Sequence, residues 1–264
     1  MSDYETLLYS AENGVATVTL NRPDRMNTLG GSMKQDLWHV FTDRMLNDRS
    51  IRCVILTGAG DRAFCAGADI KERAGNRPPP AEYFARQKFT HELTRTIENF
   101  ERPVIAAING VALGGGMEIA LCADIRIAAD HARFGLPEVK LGVLPAAGGT
   151  QRMPRIVGES KAKELMYTGR MMGAEEALGC GLVSQIAAQA DLMETAMTLA
   201  RDIADKPPLS VAFIKNAINT GMQVGMDAGL EYERLGAAML IDSDDRKEGM
   251  AAFLEKRKPN FTGR

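Results

Sequence analysis

The stretch VALGGGMEIALCAD, residues 111–124, runs three consecutive glycines into an apolar, helix-like string with one acid, Glu118, in its first turn. Glycine lets a backbone approach a ligand without a Cβ in the way. At a helix start the unpaired N–H groups and the helix dipole favour an anion. Gly114, Gly115 and Gly116 therefore read as an oxyanion or phosphate site, or as a tight turn that packing alone requires. No Lys-Ser/Thr pair follows them, so the string is not a Walker-type phosphate loop. Glu118 has two readings as well: a charge–dipole contact, or a functional carboxylate.

Outward from this stretch, strand-like runs alternate with helix-like ones. VIAAIN (104–109) and IRIAAD (125–130) flank it, and CVILTG (53–58) lies upstream. All three are apolar and rich in β-branched residues or alanine, as buried strands are. GVATVTLNRP (14–23) alternates apolar and polar residues and ends as an early strand. Ser32 and Gln35 form a capping-box pattern. It opens a helix whose Met33, Leu37, Phe41 and Met45 recur at i+4 spacing. RPPPAEYF (77–84) is a proline-rich break before a long helix ending near Phe100. ESKAKELMYTG (159–169) reads as a helix and LVSQI (182–186) as a short strand. From about Ala190 the pattern is helix after helix. The expectation is an α/β core over residues 1–189 and an all-helical C-terminal region over 190–264.

The chain has 264 residues, 45% hydrophobic and 25% charged, with a net charge of −2 and a pI of about 6.0. That balance argues against a nucleic-acid binder, which carries a basic face. No apolar run approaches the length of a membrane helix. MSDYETLLYS shows no leader pattern, and the expectation is a cytoplasmic protein. Cys53, Cys65, Cys122 and Cys180 form no CxxC, as suits reduced thiols. His39, His91 and His131 form no HExxH, and no dedicated metal site is expected. Gly58, Gly60 and Ala63 match GxGxxA after a strand, but FCAGADI follows where a dinucleotide site needs a helix.

A second acid, Glu138, stands in ARFGLPEVKLGVLPAAGGTQRMPRIVG, a segment dense in glycine and proline. A lone loop carboxylate is usually solvated; two acids facing one pocket can divide base and acid work. Together FCAGADI, NGVALGGGMEIALCADIRIA, FGLPEVKLGVLP and AGGTQR, in this order and spacing, resemble the crotonase superfamily, the enoyl-CoA hydratase/isomerase family. NRPDRMNTL near the start and KEGMAAFLEKRKPNFTG at the end extend the resemblance along essentially the whole chain. With both glutamates present, the chain is most similar to the enoyl-CoA hydratases.

The resemblance implies a crotonase fold: a superhelical core of repeated ββα turns followed by helices. It implies an acyl-CoA thioester substrate, coenzyme A entering as part of the substrate and with no separate cofactor. The N–H groups of Ala68 and Gly115 would form an oxyanion hole for the thioester oxygen. Glu118 and Glu138 would be the catalytic pair that adds water across the 2,3 double bond, their base and acid roles left open. Arg25, Ala66, Ala68, Asp69, Ile70 and Lys71 match positions that line the CoA moiety, and Lys258 and Phe261 resemble residues that approach its adenine end, often from a neighbouring subunit. Ala146 stands where many hydratases have a glycine beside the catalytic water, so PAAGGTQ replaces PGAGGTQ. A homotrimer or homohexamer is implied. The competing readings are an enoyl-CoA isomerase or other crotonase-type enzyme, for which one carboxylate suffices, and a non-enzymatic binding member of the fold.

Overall fold

A computed structural model describes residues 4–75 and 78–264. Residues 1–3, the first three of the N-terminal stretch MSDYETLLYS, and 76–77, in and just before the proline-rich break, lie outside the described residues.

The strands are β1 (Leu7–Glu12), β2 (Val15–Leu20), β3 (Cys53–Gly58), β4 (Ala63–Cys65), β5 (Val104–Ile108), β6 (Val111–Leu113), β7 (Ile125–Ala129), β8 (Arg133–Gly135), β9 (Met172–Gly173) and β10 (Gln185–Ala187). The helices are α1 (Met33–His39), α2 (Ile70–Arg73), α3 (Pro80–Glu98), α4 (Gly115–Ala120), α5 (Gly149–Val157), α6 (Glu159–Thr168), α7 (Ala174–Gly179), α8 (Leu192–Ala204), α9 (Pro208–Gly221), α10 (Met226–Leu240) and α11 (Asp244–Glu255). One sheet has the order β1-β2-β3-β5-β7-β10 and the other β4-β6-β8-β9. The chain places β3, β5 and β7 in the first sheet, follows each with β4, β6 or β8 in the second, and then turns into helix. This is the repeated ββα spiral that the resemblance implies.

Strands β3 and β5 are buried along their whole length, as parallel strands covered on both faces are. Helix α8 packs against β2, β3, β5, β7 and β10, and β4 of the second sheet against β3 and β5. Leu192, Ala196, Ala200 and Ala204 form the buried stripe of α8, at i+4 spacing. The expected boundary at 189/190 thus precedes a helix that belongs to the core. The later helices leave it: α9 is tied back by Lys215, which donates from Nζ to Asp124 Oδ2 (2.8 Å) and to the Arg102 carbonyl (3.2 Å).

Two local details fix the frame of the site. Asn13 (φ 51°) and Gly14 (φ 81°) make the two-residue turn joining β1 to β2, the geometry that Asn-Gly favours. The loop after β3 is held from within: Asn27 Nδ2 donates to the carbonyls of Ala59 (3.0 Å) and Ala63 (2.8 Å). Asn109 Nδ2 donates to those of Gly58, Gly60 and Ala63, while its Oδ1 accepts from Gly58 N. The GxGxxA glycines therefore serve a loop between two strands, exposed at residues 60–62 and anchored from beneath by these amides, with a strand and not a helix following. The capping box expected at Ser32 does not form: Ser32 Oγ donates to Asp36 Oδ2 (2.9 Å), which also accepts from Thr6 N and Oγ1. It is the Asp36 carboxylate that joins α1 to Thr6, just before β1, and the Ser32 hydroxyl supports that carboxylate instead of capping the helix. Among the described residues no helix is long and apolar enough to cross a membrane.

Candidate active site

The three glycines of the quoted stretch have three different physical reasons. Gly114, at φ 52° and ψ −128°, adopts a backbone that L side chains rarely adopt. A Cβ on Gly116 would lie 2.1 Å from the Cys65 carbonyl oxygen, so this glycine lets α4 pack onto β4. Gly115, between them, opens α4 with an N–H that meets no acceptor among the described residues. The Ala68 N–H likewise has none. The two groups are neighbours: a Cβ on Gly115 would sit 3.9 Å from Ala68 N. Gly67 (φ 89°) makes this approach possible, since a Cβ there would lie 2.7 Å from the Leu113 carbonyl oxygen and 3.1 Å from Gly115 N. The 65–68 segment is pinned by Ala66 N donating to the Met26 carbonyl (3.0 Å) and Leu29 N to that of Gly67 (2.7 Å).

Glu118 is 3% exposed. Its Oε1 accepts from Ala147 N (2.6 Å) and Gly149 N (2.8 Å). Burial pushes its carboxyl up from the ordinary range, and the two N–H groups, Arg152 and His91 pull it back. Glu138 comes from the 3-10 turn Pro137–Leu141, which closes at Gly142 in the left-handed region. Its Oε2 is buried without a hydrogen-bond partner among the described residues. A Cβ on Gly114 would be 3.2 Å from Glu138 Oε1, so this carboxyl stands beside the start of α4. Burial, reinforced by the charge of Glu118 and opposed by its own backbone N–H, pushes Glu138 up to about 7. The two acids sequence reasoning singled out do share one site, with the free N–H groups of Ala68 and Gly115 at its edge.

Four further side chains, which sequence reasoning missed, build the loop that holds Glu118. The Ala146 carbonyl accepts from Gln87 Nε2 and contacts His91 Nε2, each at 2.7 Å. The Ala147 carbonyl accepts from Arg152 Nη1 (3.1 Å). Arg152 in turn forks onto Glu98, Nε to Oε1 at 3.0 Å and Nη2 to Oε2 at 2.7 Å. The i, i+4 spacing of Gln87 and His91 is visible in sequence, but nothing there names a carbonyl nearly sixty residues away as their common target.

The other expected positions scatter. Arg25 is half-exposed and reaches Asp69 Oδ2 with Nη1 (3.5 Å). Asp69 is buried and committed: Oδ1 caps α2 through Lys71 N and Glu72 N, while Oδ2 meets Thr28 Oγ1 (3.3 Å) and Arg22 Nη2 (3.4 Å). Ile70 and Lys71 are exposed. Lys258 pairs with Asp205 at the end of α8 (2.9 Å), and Phe261 packs at Gly249 of α11 with its carbonyl accepting from Arg52. Within one chain their hydrogen bonds and ion pairs do not lead to Arg25 or Asp69. Among the described residues no group of three or more His, Cys, Asp or Glu side chains is placed to hold a metal ion.

A family model described as enoyl-CoA hydratase/isomerase matches residues 10–264. The short-chain-enoyl-CoA hydratase of Clostridium acetobutylicum is 42% identical over 256 residues, 97% of each chain. The 1,2-epoxyphenylacetyl-CoA isomerase of Escherichia coli is 39% identical over 262 residues, 98% of this chain and 99% of that protein. Among solved structures, an enoyl-CoA hydratase from Bacillus anthracis superposes with a TM-score of 0.94 at 41% identity, covering 98% of this chain and all of that one.

Proposed function

The chain belongs to the enoyl-CoA hydratase/isomerase family, and within it we propose that it is an enoyl-CoA hydratase, adding water across the 2,3 double bond of an enoyl-CoA thioester. The observation that carries this reading is the pair Glu118 and Glu138, differently held in one site beside two unpaired backbone N–H groups.

The thioester oxygen docks on the N–H groups of Ala68 and Gly115. As hydroxide character adds at C3, electrons move onto that oxygen, and donors fixed before the reaction stabilise the charge as it grows. One such donor is worth about 3 kcal/mol. Glu118, whose carboxylate has two N–H donors, takes a proton from the water. Glu138, pushed up to about 7, holds a proton near neutral pH and delivers it to C2. The product gains both hydrogens and the oxygen of one water, and the acids return to their starting states by proton exchange.

For the CoA moiety, Arg25 offers a half-exposed guanidinium to phosphate. Ala66, Asp69 and Ile70 offer backbone, and Lys71 an exposed ammonium. Lys258 and Phe261 would serve a neighbouring subunit's ligand. The assembly this requires, a homotrimer or dimer of trimers, is supported by large apolar side chains left open on α9 to α11, among them Ile218, Met226, Leu235, Met239 and Phe253. A monomer in light scattering would refute it.

A second reading, an isomerase, is favoured by Glu138 alone: one carboxyl titrating near neutrality can move a proton between carbons. The deciding test is hydration of crotonyl-CoA in 18O-labelled water, followed as loss of the conjugated thioester's ultraviolet absorbance. Rapid loss with label at C3, abolished by Glu138→Gln, is the hydratase result. Rearranged product without label is the isomerase result.

A further inference from the structure

We propose that Gln87 and His91 are positioning residues for Glu118, acting through the single peptide unit between Ala146 and Ala147. The proposal rests on the reading of Glu118 as a catalytic carboxylate. Its geometry, however, is independent of that reading.

A peptide unit is planar and trans, so its C=O and N–H point in opposite directions. Here the Ala146 carbonyl points to α3 and the Ala147 N–H of the same unit points to Glu118. On the α3 side Gln87 Nε2 and His91 Nε2 both lie 2.7 Å from the carbonyl oxygen. That oxygen has only acceptor capacity, so His91 donates from Nε2, and both lone pairs are used. On the other side Ala147 N–H donates to Glu118 Oε1 at 2.6 Å, the shorter of its two bonds. Side-chain donors, peptide and carboxylate form one chain of hydrogen bonds. Donors on a carbonyl polarise the N–H across the unit, by roughly 10–30% per bond.

The second arm on Glu118 is built otherwise. Gly149 N belongs to a peptide whose carbonyl, that of Gly148, accepts from the backbone N–H groups of Gln151 and Arg152 in the first turn of α5. That arm follows from helix formation. The Ala147 arm is irregular loop, and its orientation is set by side chains: two from α3 on the Ala146 carbonyl and Arg152 on the Ala147 carbonyl. Removing both α3 donors frees the unit to rotate, while α5 and the rest of the loop stay anchored. Catalytic geometry tolerates little such freedom.

The charged and titratable groups around Glu118 are Arg152 from α5, His91 from α3, Glu138 from the 3-10 turn, and Cys122 one turn along its own segment. The test must therefore separate the hydrogen bond of His91 from its charge. The proteins compared are wild type, the Gln87→Leu/His91→Leu double variant, both single variants, and His91→Gln, which keeps a donor and loses the imidazole. The readout is the 13C-NMR titration of the Glu118 carboxyl carbon, assigned by its absence in Glu118→Gln. Alongside it, kcat and KM are measured for crotonyl-CoA hydration.

The double variant should move the Glu118 midpoint upward by about half a pH unit or more and lower kcat about five- to tenfold, with KM within about twofold. Each single variant should give part of the same change, and His91→Gln should stay close to wild type. A folded double variant with an unmoved midpoint overturns the proposal. So does a midpoint that rises as far in His91→Gln as in the double variant, which would assign the effect to the imidazole charge. If the double variant does not fold, the same criteria apply to the single variants. A raised midpoint with unchanged kcat leaves the positioning in place and instead removes Glu118 from the catalytic reading.

Discussion

Replacing Glu138 by glutamine should change the pH dependence of stability in a calculable way. The folded protein holds this carboxyl at about 7, against 4.5 for the free group, chiefly because burial disfavours its charge. The folded state therefore keeps the proton to higher pH than the unfolded chain. The stability this group contributes is fully present below pH 4.5 and is lost as pH rises through about 7. Each unit of pKa is worth about 1.4 kcal/mol, so a fully buried group would cost about 3 kcal/mol on ionising. Glu138 is only half-buried, and solvent screening cuts this to about 1.5 kcal/mol. Glutamine keeps the shape and never ionises. Denaturant unfolding of wild type and Glu138→Gln at pH 5 and pH 8, at one protein concentration, gives the difference directly. The variant should gain about 1.5 kcal/mol relative to wild type between the two pH values. An equal stability difference at both would refute the burial argument for this carboxyl, and with it the reason to assign Glu138 the proton at neutral pH.

The same variant should lose about 10²- to 10⁴-fold in turnover with little change in KM, and near-normal hydration would sink the two-glutamate mechanism. Gly116→Ala forces a methyl to 2.1 Å from the Cys65 carbonyl oxygen; it should cost about 3 kcal/mol or prevent folding, read by thermal melting. Asp124→Ala strands the ammonium of Lys215, whose side chain is 5% exposed, and should cost about 3–5 kcal/mol in denaturant unfolding. Cys53, Cys65 and Cys122 are buried and pushed up to about 12, so a thiol reagent should titrate at most Cys180 in the native protein and all four thiols after denaturation.

The sequence exposed the first sheet far better than the second. CVILTG and VIAAIN are long enough and apolar enough to read as buried strands, whereas β4, β6 and β8 are three residues each, set among glycines, and carry no usable period. Helix α5 begins at Gly149 and contains Pro154, so its string reads as loop. The β1–β2 hairpin was legible and missed: Asn13-Gly14 is the dipeptide that such a turn prefers. The pairing of Glu118 with Glu138 was legible through the resemblance, but their different environments were not. What separates them is which backbone N–H groups face which oxygen, and that depends on the loop built by Gln87, His91 and Arg152.

The clamp made by Asn109 has a chemical consequence for the ageing of the protein. Asn109 precedes Gly110, and an asparagine before glycine is the pair most prone to lose its amide through attack by the following backbone nitrogen. The chain cannot exchange the glycine, because a Cβ at Gly110 would lie 2.4 Å from the Arg62 carbonyl oxygen. It is bound to a labile dipeptide and protects it physically: Asn109 is 4% exposed and the hydrogen-bonding groups of its amide are engaged, which holds the carbonyl carbon away from attack. The Asn13-Gly14 turn is the same dipeptide in the open. Stored protein should therefore acquire its first negative charge at Asn13. Conversion at Asn109 should wait on unfolding, so that its extent in an aged sample records how long the chain has spent open.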